Sequence, residues 1–241
     1  MNILLLCREF PPAPYGGIGT FYEELAKEFG ERGHSVSIIA EGYNDLHVER
    51  CKYFTVYRVK RVARPFSKSR FISFLLYDRV VYNLLATLLK KTKIDIVESS
   101  GYGGDAFFYC ARKTIPLVVR LHGLISLNVL TMHPERPDLM AELGFSEFSL
   151  LNKLSSMYKH GDSRFCSILE KRPIDHADLI ISPSEAFKKL TCNLMALNTS
   201  RIKVVHHGIA PVKPRIHHVS LNRLKDSFSK ENSKIVLYAC K

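Results

Sequence analysis

The sequence predicts an α/β fold in which a parallel sheet is covered by helices on both faces. Short apolar runs of strand length alternate with longer amphipathic stretches along most of the chain. Several of the short runs are apolar at every position, as in strands that are buried on both faces. The composition is that of a globular protein, because 46% of the 241 residues are hydrophobic and 24% are charged.

The predicted strands are apolar segments bounded by turn residues or polar stretches. The first of them, Asn-Ile-Leu-Leu-Leu-Cys over residues 2–7, carries no charge. A run of this kind is typical of a central parallel strand rather than of a strand with one wet face. Strands are predicted over 2–7, 34–40, about 53–59, 94–98, 117–122, 179–181 and 202–205.

The first helix follows a loop rich in proline and glycine. Apolar residues that start at Ile18 recur at helical spacing. Thr20 and Glu23 have the spacing of a capping box near the start of this helix. Gly30 or Gly33 is expected to end it, since glycine readily adopts the left-handed conformation found after helices.

The other predicted helices differ in how clearly their ends are marked. Helical stretches are predicted over about 69–92, shortly before Lys113 and in the later part of 124–172. The last helix has the clearest start, where Ser182 is expected to be the N-cap and Pro183 the first helical residue. Glu185 would then close a capping box with Ser182.

Chain organisation changes after residue 210. Residues 1–210 are predicted to form one Rossmann-like domain, and residues 211–233 read as a linker because proline, basic residues, serine and asparagine crowd there. Residues 234–241 read as one more apolar strand. A parallel strand without a following crossover cannot complete a sheet. We therefore expect it to open a truncated second domain.

Cysteine usage and hydropathy limit the protein class. The six cysteines form no CxxC pair and no zinc-like cluster with histidine, which favours reduced thiols in a cytoplasmic protein and no metal site. The N-terminus lacks the features of a signal peptide. No uninterrupted apolar run approaches ~18 residues, so no membrane-spanning helix is expected.

The loop over residues 11–19 is the sharpest motif. Gly16, Gly17 and Gly19 lie between the first strand and the first helix. Doubly wound sheets bind ligands at this edge, where glycines let the backbone approach a phosphate and the helix N-terminus supplies free N–H groups. A dinucleotide site is the alternative: Gly17 and Gly19 match its start and Glu41 its ribose-binding acid, but Tyr22 replaces the third glycine.

Polar residues at other strand ends are expected at the same edge. His122 follows the strand at 117–122 and could hydrogen-bond a substrate hydroxyl. Glu98 ends another strand and could line the cleft. His206 and His207 follow the last strand, and two adjacent side chains on a strand point to opposite sides, so they are not expected to chelate one metal.

Basic residues crowd between positions 58 and 93, and apolar residues lie among them. The net charge of the chain is +12. Three interpretations stay open: an amphipathic surface that docks on anionic lipid, a solvated face, or a nucleic-acid surface, which we expect least. The first would place the protein at the inner face of the membrane. The basic residues are Arg58, Lys60, Arg61, Arg64, Lys68, Arg70, Arg79, Lys90, Lys91 and Lys93.

Taken together, these segments resemble the N-terminal domain of family 4 retaining glycosyltransferases, which is the first half of the two-domain GT-B fold. The resemblance covers about residues 1–210 and depends on the order and spacing of its parts. The matching segments are Pro11-Pro12 with Gly16-Gly17-Ile18-Gly19, Gly33-His34-Ser35-Val36, Asp95-Ile96-Val97-Glu98-Ser99, Leu121-His122-Gly123, Ala177 to Glu185, and Lys203 to Ile209.

The resemblance implies transfer of a sugar from a nucleotide-diphosphate sugar to an unknown glycan or lipid acceptor, with retention and without a metal cofactor. Gly16 and Gly17 would approach the diphosphate and the transferred sugar, and His122 would contact that sugar. The family's Asn-Gly-Val-Asp motif reads His207-Gly208-Ile209-Ala210 here, so an acid is missing. The donor-binding residues of the second domain have no counterpart, and the chain alone is expected to be inactive.

Two other functions remain as alternatives at this stage. One is a non-catalytic remnant that binds a glycolipid or a membrane surface. The other is an NAD(P)-dependent oxidoreductase, which the glycine spacing disfavours. A hexosyltransferase that needs a second domain or a second chain is the function that the sequence favours.

Overall fold

A computed structural model describes residues 1–12, 16–42, 46–60, 70–125 and 165–208 of the chain. Its centre is an eight-stranded sheet in the order β3-β4-β2-β1-β5-β6-β7-β8. Every neighbouring pair is parallel except β3 and β4, which are antiparallel. The strands are β1 Asn2–Leu6, β2 Ser35–Glu41, β3 His47–Arg50, β4 Thr55–Val59, β5 Ile96–Ser100, β6 Leu117–Arg120, β7 Leu179–Ser182 and β8 Ile202–Val204.

Helices lie between most of the parallel strands along the chain, whereas β2 and β4 are joined through the edge strand β3. A 3₁₀ turn at Thr199–Arg201 precedes β8. Residues 165–176 are helical and form α4. The other described helices are α1 Gly17–Glu31, α2 Arg70–Lys91, α3 Phe107–Cys110 and α5 Glu185–Met195.

The core lies on both faces of the sheet, because successive side chains of each strand point to opposite sides. Leu4 and Leu6 of β1 belong to one buried cluster, which includes the buried face of α2. Ile3 and Leu5 belong to the other, which includes the buried face of α1. The predicted doubly wound, Rossmann-like sheet with helices on both faces is confirmed.

The edge strand β3 is missing from the sequence-based expectations, which place a single strand at about 53–59. The structure has β4 over Thr55–Val59 and a short antiparallel neighbour, β3, over His47–Arg50. Three of the four residues in β3 are exposed, so its sequence carries no continuous apolar signal. Its position is decided by pairing with β4.

Both predicted capping boxes are wrong, although the helices themselves are present. Gly16 is the N-cap of α1 without a side-chain cap, and the Thr20 hydroxyl instead donates to the Gly16 carbonyl at 3.3 Å. For α5 the N-cap is Ser184, whose side chain accepts from the backbone N–H of Phe187 at 3.1 Å. Ser182 cannot cap α5, because its backbone is still part of the ladder between β7 and β8.

The end of α1 follows the expectation. The helix ends at Glu31, and Gly33 two residues later has φ of +81°. Its backbone N–H donates to the Gly30 carbonyl at 3.0 Å. A side chain would strain this left-handed backbone, so glycine is suited to the turn that leads into β2.

The long helix α2 is long and apolar enough over Phe71–Lys91 to cross a membrane, judged by length and composition alone. Charged residues interrupt this stretch, so it contains no long uninterrupted apolar run. Residues Tyr77, Val81, Leu85 and Leu88 are buried in the core against the sheet. Core helices of globular proteins can pass the same test. Inside the protein, 33% of the apolar stretch is buried.

Residues Met1–His207 form one compact unit, and Gly208–Lys241 are a second, separate unit. The linker predicted at 211–233 and the strand predicted at 234–241 lie outside the described residues, as does most of the segment 124–172. The domain boundaries predicted from the sequence therefore stay predictions. Of the cysteines in the described part of the chain, Cys51 is exposed, Cys7, Cys110, Cys166 and Cys192 are buried, and none is in a disulfide.

Candidate functional site

The carboxyl ends of the parallel strands meet along one edge of the sheet. β1 pairs with β2 on one side and with β5 on the other, so the strand order reverses next to β1. Ligands of doubly wound proteins bind in the crevice outside such a switch point. The loop after β1 and the ends of β5, β6 and β8 all reach this edge.

The glycines of the loop after β1 occupy different environments. Gly16 is the N-cap of α1, and a side chain there would come within 3.1 Å of a Glu9 carboxylate oxygen. Gly17 is exposed, and no described atom lies within 4 Å of where its side chain would be. Gly19 lies instead on the buried face of α1 beside Tyr22. The structure therefore brings Gly16 and Gly17, but not Gly19, to the open end of the helix.

Three rings form an aromatic triad beside this helix end: Phe21, His122 and His207. The ring centroids of His122 and His207 are 4.7 Å apart. Phe21 of α1 lies 4.8 Å from His122 and 4.4 Å from His207. The triad joins the first helix, the end of β6 and the segment after β8, which are far apart in the sequence.

Both histidines of the triad are held in the neutral form. Burial, and to a smaller extent His207 and Arg120, lower the pKa of His122 from 6.5 to about 3. Burial and Arg120 also lower the pKa of His207. The Nε2 atom of each ring is buried and has no hydrogen-bond partner among the described residues. A neutral imidazole can accept or donate one hydrogen bond there, which suits a hydroxyl group.

His206 and His207 do point to different surroundings, as the sequence predicts. His206 Nδ1 lies 2.9 Å from the carbonyl oxygen of Pro183, whereas the His207 ring packs in the triad. Only one of the two neighbours therefore faces the candidate site. Among the described residues, no group of three or more histidine, cysteine or acidic side chains is placed to hold a metal ion.

Glu98 is engaged by a basic residue that the sequence-based expectations gave no role. Arg120 of β6 donates to both Glu98 carboxylate oxygens, at 2.6 and 3.3 Å, and both side chains are 8% exposed. The guanidinium carbon of Arg120 also lies 5.2 Å from the centroid of the Phe21 ring. Glu98 therefore balances a buried charge behind the triad, and its role in binding the nucleotide sugar stays a prediction.

A second buried arginine anchors the loop after β1. Arg58 of β4 is 2% exposed, and its guanidinium donates to the carbonyl oxygens of Phe10, at 2.8 Å, and Pro11. Glu49 of β3 accepts from the same group at 3.0 and 3.1 Å. Arg58 therefore does not belong to the basic surface predicted over residues 58–93.

These two buried ion pairs, Arg120 with Glu98 and Arg58 with Glu49, do have a signal in the sequence. The signal is a charged residue inside an apolar run of strand length. Arg120 lies between Val119 and Leu121, and Arg58 lies beside Val59. Buried charges are almost always paired, so each arginine implied a carboxylate partner nearby. The sequence does not say which one, because both partners come from other strands.

The features that resemble a dinucleotide site have other roles in the structure. Arg8 donates to both carboxylate oxygens of Glu41, at 3.3 and 3.0 Å, so this acid is not free to bind a ribose. Tyr22, which stands where a third glycine would be, is fully buried in the core. Its ring lies 5.4 Å from that of His122.

Comparison with protein families decides the assignment that the fold and the site suggest. The family profile named Glycosyltransferase Family 4 matches residues 15–213. The chain belongs to glycosyltransferase family 4. It is also 22% identical over 216 residues to an uncharacterised glycosyltransferase of Methanocaldococcus jannaschii, a match that covers 88% of this chain and 47% of that protein.

Solved structures show the same fold at low sequence identity. The family 4 chain matches sucrose-phosphate synthase of Thermosynechococcus elongatus with a TM-score of 0.58 and 12% identity, over 86% of this chain and 48% of that one. UDP-glucose:anthocyanidin 3-O-glucosyltransferase, solved with UDP, matches with a TM-score of 0.55 and 11% identity, over 95% and 58%. The chain thus spans about half the length of these relatives.

Proposed function

We propose that this family 4 domain is the acceptor-side half of an enzyme that transfers a hexose from a nucleotide-diphosphate sugar to a glycan or lipid acceptor, with retention of configuration and without a metal cofactor. The observation that carries the proposal is the aromatic triad beside the open N-terminus of α1. It places two unpaired, buried imidazole nitrogens next to a helix end that can face a phosphate.

The chemistry of the triad suits binding of the transferred sugar. His122 stays uncharged over the physiological pH range, since its pKa is about 3. A neutral Nε2 hydrogen-bonds a sugar hydroxyl without competing for the charge that develops on the departing diphosphate. At Gly17 no described atom lies within 4 Å of where a side chain would be, so that diphosphate can approach the first turn of α1.

Stabilisation of the diphosphate needs positive charge that the triad does not supply. Arg120 lies close enough to both histidines to lower their pKa, but Glu98 neutralises its charge. Relatives of known fold are about twice as long as the matched region. We therefore propose that a second, donor-binding domain or chain completes the site, and that the 241-residue chain alone has little or no transferase activity.

The test is a transfer assay with UDP-, GDP- and ADP-sugars and a mixture of glycan and lipid acceptors. The chain is compared with a version extended by the sequence encoded downstream, and the anomeric configuration of the product is read by NMR. We expect activity only in the extended form, with retention, and loss of about 100-fold or more for His122→Ala. His206→Ala is the matched control and should stay within about threefold.

Three outcomes of this assay would count against the proposal. Activity of the 241-residue chain alone would contradict the need for a donor domain. An inverted product would contradict retention. Full activity of His122→Ala, in a protein that remains folded, would remove the triad from the site.

A peripheral position at the cytoplasmic face of an anionic membrane is a second proposal, and it depends on a different surface. Ile72, Leu76 and Val80 of α2 form a stripe at a spacing of four residues and are 43%, 42% and 37% exposed. Arg79, Lys90 and Lys91 are exposed on the same helix. Apolar side chains flanked by basic ones favour anionic lipid surfaces.

Vesicle co-sedimentation tests this second proposal. The chain should bind vesicles that contain phosphatidylglycerol and not vesicles of phosphatidylcholine alone. Leu76→Ser should weaken binding several-fold, because it removes exposed apolar area worth about 1–2 kcal/mol. Leu190→Ser, which changes a 39% exposed leucine on α5, is the matched control. Equal binding of both variants would contradict a membrane role for α2.

A further inference from the structure

A separate polar cluster lies at the switch point, at the ends of β1 and β2 and beside the N-terminal half of α2. We call Arg8, Glu41, Ser73 and Asp105 the switch-point cluster. It shares no residue with the aromatic triad. Arg8 follows β1 and Asp105 lies in the loop after β5, so the cluster spans the place where ligands of doubly wound proteins bind.

One edge of the Arg8 guanidinium is available to donate hydrogen bonds to a ligand. Its Nε and Nη2 atoms donate to both oxygens of Glu41, and Nη2 also donates to the Ser73 hydroxyl at 3.1 Å. The guanidinium carbon lies 4.8 Å from the ring centroids of both Phe74 and Tyr77. Nη1 donates to no described residue, and 17% of the side chain remains exposed. The group is therefore fixed in place while one edge still offers two N–H donors.

Asp105 provides a complementary acceptor. One of its oxygens, Oδ2, accepts from the Arg8 backbone N–H at 3.3 Å and from the Ser100 hydroxyl at 3.2 Å. Burial raises the pKa of this carboxyl to about 7, although the charge of Arg8 opposes the shift. An acid in this state can either accept or donate a hydrogen bond near neutral pH.

The hydroxyl of Tyr77 lies beside these two groups. It is buried and has no hydrogen-bond partner among the described residues. The charges of Asp105 and Arg8 are both close enough to shift its pKa, so the three groups lie near one another. A buried polar atom is normally paired, and an unpaired one beside a fixed guanidinium points to a ligand or to bound water.

The charge of the cluster decides between ligand classes. One guanidinium faces the carboxylates of Glu41 and Asp105, and Glu9 is close enough to act on Asp105 as well. A phosphate or carboxylate would be repelled there, despite the net charge of +12 on the whole chain. A hydroxyl group both accepts from Arg8 and donates to Asp105.

We propose that the switch-point cluster binds the uncharged, polyhydroxylated head group of the sugar acceptor. The proposal rests on the proposed function above and adds to it the class of acceptor. Arg8 and Asp105 would each bind an acceptor hydroxyl, and Glu41 and Ser73 hold Arg8 in position for it. An acceptor that carries its charge at this head group would be excluded.

Saturation-transfer NMR on the 241-residue chain tests the proposal without a donor. The probes are glucose and myo-inositol, each paired with its monophosphate. We expect the neutral probes to bind at least about tenfold more tightly than their phosphates. Asp105→Asn keeps the shape but removes the charge, and should reduce this preference to less than about threefold.

Arg8→Lys tests the donor side of the cluster. Lysine keeps the positive charge beside Glu41 but lacks the rigid fork, so binding of the neutral probes should weaken about tenfold. Arg32→Lys is the matched control, since Arg32 directly follows α1, is 69% exposed and forms its ion pair with Glu28 on the surface. If Arg8→Lys fails to fold, the Asp105→Asn result alone decides.

Several results would overturn the proposal: tighter binding of the phosphates, no saturation of any neutral probe, or wild-type behaviour of both Arg8→Lys and Asp105→Asn. These results are independent of the transfer assay. Sugar transfer that continues in both variants would leave the proposed function standing and remove the cluster from it. Probe binding without any sugar transfer would support the cluster as a binding site and count against the proposed transferase function.

Discussion

Replacing Asp78 by asparagine should change how the stability of the protein depends on pH. Asp78 lies on α2 and is 2% exposed. Its Oδ2 accepts from the Phe108 backbone N–H at 3.0 Å, and its Oδ1 is buried without a partner in the part of the chain that the structure describes. Burial, and to a smaller extent Asp105, raises the pKa of this carboxyl from 3.8 to about 9. The folded protein therefore keeps a proton that the unfolded chain loses at neutral pH.

The sign and size of the effect follow from proton linkage. Between the unfolded and folded pKa values, the folded state binds one more proton than the unfolded state. The free energy of unfolding therefore falls by about 1.4 kcal/mol for each pH unit, and the contribution is lost as pH rises towards the folded pKa. From pH 5 to pH 8 the loss is ~4 kcal/mol. Asparagine cannot ionise, so Asp78→Asn should lack this loss.

Urea denaturation at pH 5, 6, 7 and 8, followed by circular dichroism, measures the effect. The free energy of unfolding of Asp78→Asn, relative to the wild type, should rise by ~4 kcal/mol over this range. Asp105 titrates in both proteins, so its contribution largely cancels in the difference. Asp175→Asn is the control: this residue is exposed in an i,i+4 pair with Lys171, and its effect should stay within about 0.5 kcal/mol. A difference for Asp78→Asn that does not change with pH would refute the reasoning.

Three further results are expected. Glu98→Ala should lower the free energy of unfolding in urea by about 3–5 kcal/mol because it leaves the buried guanidinium of Arg120 unpaired, and adding Arg120→Met should restore most of the loss. Gly104→Ala should cost about 2–5 kcal/mol, since φ is +78° and the new carbon would lie 2.4 Å from a carbonyl oxygen of α4, whereas Gly17→Ala should change stability by less than about 1 kcal/mol. NMR titration should find His122 neutral down to about pH 4, since its pKa is about 3; protonation near pH 6.5 would contradict its burial.

The strands and helices that the sequence predicts are those whose signal is local. β1 is apolar at nearly every position, and α1 repeats its apolar residues at helical spacing, so burial on two faces or on one stripe can be inferred without the partners. The end of α1 also follows from a local rule, because Gly33 can adopt a positive φ. These are the features that the structure confirms.

Helix starts and the edge strand were decided by tertiary pairing. Ser182 has the right residue type for an N-cap, but the ladder with β8 keeps its backbone extended, and Ser184 takes the role. Strand β3 has no apolar signal of its own and exists because its backbone pairs with β4. A local sequence window does not contain these competing hydrogen bonds.

The candidate site also has features that the sequence predicts and features that depend on the tertiary structure. The sequence alone determined the fold class, the strand-end positions of His122 and His207, and the glycine-rich start of α1, since each follows from period, spacing and turn chemistry. Only the tertiary structure decided that His122 and His207 meet over Phe21, that Glu98 is bound by Arg120, and that Arg8 and Asp105 form a second polar cluster. These contacts join residues on separate strands and helices, and their geometry depends on the packing of the whole sheet rather than on any segment by itself.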